Sequence, residues 1–154
     1  MLLYLVTGTK GGAVDRKMTS QLLDAAYNYS KQLTLNRFNG IINIRVPRKK
    51  GYIDKVVGGY CMADRFEHED GRNYWAIDID LANVTRKEMI QNLAHEMVHA
   101  KQFMKKELNV DTRKWKGRVY KSKASDPWDT ELPWEKEAYR VEKTLYKNYI
   151  NGES

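Results

Sequence analysis

Residues 95–99 read His95-Glu96-Met97-Val98-His99, two imidazoles four positions apart with a carboxylate between them. On an α-helix, residues i and i+4 stand one turn above each other on the same face, so both rings can reach one metal ion. Glu96, on the adjoining face, can approach a water on that ion without ligating, which is the placement a general base needs. With three His and ten Glu in 154 residues, shuffling produces this spacing with an expectation on the order of 0.003, so coincidence competes weakly. The plainer readings are a histidine pair that only hydrogen-bonds, and a zinc site that only stabilises the fold and leaves Glu96 without a task.

A catalytic zinc takes three protein ligands and keeps one position for water. No histidine follows His99, and His68 lies far upstream in the acidic run His68-Glu69-Asp70, where an exposed loop residue is expected. The third ligand is therefore expected to be a carboxylate. Pro133-Trp134-Glu135-Lys136-Glu137-Ala138-Tyr139 offers two at the opening of a helix, Glu135 and Glu137, against the plainer role of partners for a helix dipole. Tyr139 and Tyr120 are candidate donors to a developing oxyanion. Trp115, Trp128 and Trp134 could line the cleft, although packing is the ordinary role of each. Cys61, the sole cysteine, has no disulfide partner and reads as a small core residue, which argues against redox chemistry.

The helix that must position the histidines is well marked. Thr85 and Glu88 form a capping box, and the periodicity predicts a helix from Arg86 to Lys106. At about 100° per residue, Met89, Ile90, Leu93, Met97, Ala100 and Met104 share one side. His95 and His99 fall nearly opposite, beside Glu88, Asn92 and Gln102, which predicts rings facing a cleft. Upstream, the apolar run Leu2 to Thr7 predicts a strand inside a sheet, followed by a turn at Gly11 and Gly12. A helix from Lys17 to Leu33 has a start signal at Thr19 and Ser20. Strands are predicted at Ile41–Val46, closed by Pro47 and the basic turn Arg48-Lys49-Lys50-Gly51, at Val56–Ala63, with Gly58-Gly59 as a bulge or close approach, and at Tyr74–Leu81. After an irregular basic stretch through Trp115-Lys116-Gly117 and Asp126-Pro127-Trp128, a terminal helix runs from Trp134 to Tyr149. This order predicts one α+β domain over residues 1–154, with a mixed sheet of about four strands.

Between Lys101 and Lys123 nine cations face only Glu107 and Asp111, a surplus equal to the whole net charge of +7. Such a block could attract nucleic acid or an acidic substrate, or simply form a solvated surface. No apolar run approaches the roughly 20 residues of a membrane span, and Leu2 to Val6 is short for a signal-peptide core. A monomer in the cytoplasm, without a membrane partner, is expected.

His-Glu-x-x-His followed by a glutamate on a later helix resembles the gluzincin branch of the zincin metallopeptidases. The string His95-Glu96-Met97-Val98-His99-Ala100-Lys101-Gln102, the Trp115-Lys116-Gly117 element and Pro133 to Tyr139 together resemble the small SprT-like, zincin-like proteins of bacteriophages, over about residues 74 to 146. The resemblance implies a zincin-like fold, a Zn2+ cofactor, hydrolysis of peptide bonds in a peptide or protein substrate, and a host cytoplasm if phage-encoded. Related zincins read Glu-x-x-Ala-Asp or Glu-x-x-Ala-Asn. Matching Ala138 places the ligand at Glu135, with Glu137 the other candidate, and sets Tyr139 where the Asp or Asn orients a zinc-bound imidazole. SprT proteases use a third histidine that this chain lacks after His99. Tyr74 to Asp80 resembles the edge strand on which zincins align an extended peptide. The implied mechanism has zinc on His95, His99 and Glu135 and Glu96 as base, to which Tyr139, or Tyr120, would add the oxyanion donor. Its rivals are a nucleic-acid-associated role for segment 101–123, as a protease of DNA-bound proteins or a non-catalytic binder, and an inactive, zinc-stabilised interaction protein.

Overall fold

The computed structural model describes residues 1–8, 14–47, 58–120 and 130–152. The expected turns at Gly11-Gly12 and Arg48 to Gly51, the first residues of the Val56 strand, Lys121, Lys123 and Asp126-Pro127-Trp128 lie outside them. In chain order the elements are β1 (Leu2–Gly8), α1 (Arg16–Gln32), β2 (Gly40–Val46), β3 (Gly59–Glu67), β4 (Asn73–Leu81), α2 (Arg86–Met104), β5 (Leu108–Asn109), β6 (Lys114–Trp115), β7 (Arg118–Val119) and α3 (Pro133–Ile150). The main sheet has the order β1-β2-β4-β3, with β1, β2 and β4 parallel and β3 antiparallel to β4. The class is thus α+β, three helices with a four-stranded mixed sheet.

Alternation along the strands builds the core. Leu2, Ile42, Ile44, Ile77, Ile79 and Leu81 are buried and join Leu22, Tyr29, Ile90, Leu93 and Met97 from α1 and α2 in one cluster. β1 was expected inside the sheet, but it is an edge strand. Its unbroken apolar run reads as burial on both faces, whereas Leu3 and Leu5 point away from the helices and are 53% and 49% exposed. The strand Tyr74–Asp80 was expected at an edge and instead lies between β2 and β3. Two polar links hold it there: Arg45 of β2 donates to both carboxylate oxygens of Asp80, at 2.6 and 3.1 Å, and Asn43 reaches Asp78. The edge beyond it is β3, folded back through a turn at His68–Arg72.

α1 begins earlier than the Thr19/Ser20 signal, because the Asp15 side chain accepts from the Met18 amide at 2.7 Å. α2 starts as its capping box predicts, with the Thr85 hydroxyl accepting from the Glu88 amide. α3 lies across α2, and Gln32 of α1 donates to the Leu145 carbonyl while the Tyr149 hydroxyl donates to Asp24. The basic stretch after α2 folds into a second sheet, β5-β6-β7, that periodicity does not predict. Its β6–β7 turn is Lys116-Gly117, both left-handed at φ 47° and 87°, the two-residue hairpin that glycine favours. Trp115 of this sheet and Trp134 of α3 share a small core with Leu108 and Leu132. A groove of about 950 Å³ separates it from β3, lined by Cys61, Ala63, Phe103, Leu108 and Val110 among others. Among the described residues, no helix is long and apolar enough to cross a membrane.

Candidate metal centre

Helical spacing delivers His95 and His99 to one place, with ring centroids 4.9 Å apart. They do not face an open cleft as the helical wheel suggests. α3 covers that side, leaving His95 8% and His99 2% exposed. The crossing brings in Glu135, which Pro133 at the start of α3 sets in the first turn, where the helix dipole favours a carboxylate. Glu135 Oε1 is 3.0 Å from His95 Nε2 and Oε2 is 2.7 Å from His99 Nε2. The ligand atoms of His95, His99 and Glu135 all lie within 4.8 Å of one another, a buried group that could hold a metal ion.

The other ring nitrogens fix which atoms face the centre. Gln102, fully buried, donates through Nε2 to the Trp134 carbonyl at 2.9 Å and to Glu137 Oε1 at 3.3 Å, so its Oε1 is the atom 2.8 Å from His99 Nδ1. His99 must then donate from Nδ1, and Nε2 is the nitrogen it turns toward Glu135. Glu142 Oε1 likewise lies 3.3 Å from His95 Nδ1. This donor set fits a divalent cation. Glu135 Oε2 is buried with no hydrogen bond of proper alignment, although His99 Nε2 is close enough for an ion pair, and an ion bound at the centre would give that oxygen a partner. Ligand atoms around an ion with bonds of about 2.0–2.1 Å lie roughly 3.3 Å apart, a little wider than the two contacts of Glu135 with His95 and His99.

Charge follows the same geometry. Burial alone would make His95 harder to protonate, but hydrogen bonds to Glu135 and Glu142 outweigh it and hold its pKa up at about 10. Burial would raise Glu135, yet the two imidazoles bring it down to about 2. Glu96 is pushed up to about 7 by burial, against the pull of His99 and His95. It packs on the backbone of Gly59, where an added Cβ would lie 3.3 Å from Glu96 Cγ and 2.6 Å from the Asp80 carbonyl oxygen. The Gly58-Gly59 pair is therefore a close approach of β3 to the histidine helix. Next to it, a Cβ at Gly58 would meet the Asn92 side chain at 2.7 Å.

Glu137, the alternative ligand, points elsewhere: it accepts from Lys101 at 2.8 Å. Tyr139 is at the centre, its ring 4.6 Å from that of His95 and 40% exposed. Tyr120 packs against Trp134, in the same small cluster as Trp115, and Trp128 lies outside the described residues. His68 is exposed and 3.6 Å from Asp70, as its acidic loop suggested. Cys61 is buried in the core. Part of the basic block is committed internally: Lys101 pairs with Glu107 and Glu137, Lys105 donates to Thr34, and Lys116 approaches Glu137. Two residues escaped sequence reasoning. Glu142 follows Glu135 by seven positions, two helical turns on the same face, and that spacing was its available signal. Gln102 was placed near the histidines, but its task depends on where Trp134 falls. No family model matches the chain, and comparison with curated proteins and with solved structures returns no match.

Proposed function

We propose that the protein is a zincin-like zinc metallopeptidase that hydrolyses peptide bonds. The observation that carries this reading is the convergence of His95, His99 and Glu135 with Glu96, buried and weakly acidic, one residue from the first ligand. Zinc is the ion this ligand set suits, and when bound it would polarise a carbonyl and acidify a water to a pKa of about 7.

The remaining work falls to side chains. Glu96 takes a proton from the attacking water as its oxygen bonds to the peptide carbonyl carbon. The same carboxyl returns that proton to the amine as the C–N bond breaks. Burial and the carboxylates of Glu135, Glu142 and Glu96 raise the Tyr139 pKa above its usual value, so its hydroxyl keeps its proton and can donate to the oxyanion. An extended substrate can pair with β3, the edge strand of the described sheet that passes Glu96 at Gly59, and run into the adjoining groove.

Metal analysis with digestion of a peptide library tests the reading. One zinc per chain and peptide cleavage that a chelator abolishes are expected, with both lost in Glu135→Ala. A protein that takes up no zinc, or one that holds zinc and cleaves no peptide, refutes it.

A further inference from the structure

We infer that Glu137 is a positioning residue that fixes the proton of His99 through Gln102; the inference rests on the metal-binding reading above. Gln102 is 0% exposed, so its amide can be satisfied only by the groups around it. Two acceptors, the Trp134 carbonyl and Glu137 Oε1, face its nitrogen, and its oxygen faces His99 Nδ1. Turned over, the amide would set its oxygen against both acceptors and its nitrogen against His99. The ring would then carry its proton on Nε2, the nitrogen that must be bare to ligate. Two acceptor-to-acceptor contacts therefore oppose the flipped state, and Glu137 supplies one of them as a full negative charge.

Glu137 is itself held in place. Lys101 Nζ donates to Oε1 at 2.8 Å while also pairing with Glu107 at 2.7 Å, and Lys116 Nζ lies 3.6 Å from Oε2. Lys101 comes from α2, Glu137 from α3 and Lys116 from the β6–β7 turn, so the network joins the three elements whose packing sets the centre. Trp115 and Trp134, with ring centroids 6.4 Å apart, fasten the same junction by apolar contact. The second sheet thus bears on the metal centre without supplying a ligand. It holds the carboxylate that keeps Gln102, and hence His99, facing the right way.

The experiment measures zinc affinity by competition with a chelating dye for the full chain and its variants. Loss of an outer hydrogen-bond partner typically weakens metal binding 10–100-fold. Glu137→Ala is expected to weaken zinc binding about tenfold, Glu137→Gln, whose amide oxygen can still accept, to restore most of it, and exposed Lys136→Ala to change nothing. In a Gln102→Leu background, Glu137→Ala should add no further loss, because the two act in series; a merely structural role would give additive losses. Should Glu137→Ala fail to fold, Lys101→Met with Glu137→Met removes the acceptor without stranding the ammonium, and the same tenfold loss is expected. Wild-type affinity in a folded Glu137 variant, or additivity with Gln102→Leu, overturns the inference. No zinc binding by the unmodified protein would instead refute the metal reading itself.

Discussion

Glu96→Gln should make the metal-free protein more stable and, on the peptidase reading proposed above, slow its turnover, and the size of the first effect follows from burial. Glu96 is 3% exposed and its pKa rises from 4.5 to about 7 on folding. The sign follows from linkage. The unfolded chain loses this proton near pH 4.5 and the folded chain only near 7, so stability falls as pH rises between them and the penalty is complete above 7. At 1.36 kcal/mol per pKa unit, a rise of about 2.5 units costs roughly 3 kcal/mol. Glutamine has the same shape and no charge to desolvate. In a domain of this length, 1 kcal/mol shifts Tm by about 2–4 °C, so Glu96→Gln should melt roughly 6–12 °C above the parent at pH 8.5, with most of the gain gone at pH 5. Thermal melts of both proteins in excess chelator measure this difference. With zinc, the variant should still bind one ion per chain while turnover falls about 10²–10⁴-fold, the usual contribution of a general base. Equal melting temperatures at pH 8.5, or undiminished cleavage by Glu96→Gln, would refute the account of this carboxylate.

Three further outcomes follow. Because metal-free His95 holds its proton up to about pH 10 and an ion must displace it, zinc affinity should rise about tenfold per pH unit from 7 to 9. Dye competition, corrected for the dye's own titration, checks this, and affinity already level above pH 7 would show that Glu135 and Glu142 do not raise the ring. Glu142→Ala removes the acceptor at His95 Nδ1 and should weaken zinc 10–100-fold, whereas exposed Lys143→Ala should not; equal affinities would remove Glu142 from the centre. Gly59→Ala sets a methyl 2.6 Å from the Asp80 carbonyl oxygen and should cost about 1–3 kcal/mol by overpacking, read as a Tm lower by several degrees. An unchanged melt would mean that β3 yields there freely.

What the sequence disclosed divides by distance along the chain. The capping box of α2, the i, i+4 histidines and the proline that opens α3 are each set within one or two turns, so residue spacing alone was enough to place them. The proline also narrows the third carboxylate to Glu135 or Glu137, and only the resemblance to zincins favours Glu135. Features that depend on which element lies beside which were not legible. β1 and β4 exchanged their expected places because an apolar run does not reveal whether helices cover one face or two, and because the Arg45–Asp80 pair joins strands 35 positions apart. The wheel put the histidines on the less apolar side of α2 correctly, yet that side is filled by α3, whose arrival periodicity could not foresee. The same arrival decides between the two glutamates. Glu135 and Glu137 lie two positions apart, about 200° around the helix, so only one of them can face the histidines. The other must find its partner among what α3 crosses, and the structure supplies Lys101, two residues past His99. That cation draws Glu137 away from the ligand position, and Gln102, the next residue, hydrogen-bonds both His99 and Glu137. Lys101-Gln102 thus separates the surroundings of the two carboxylates, although neither residue belongs to the group formed by His95, His99 and Glu135.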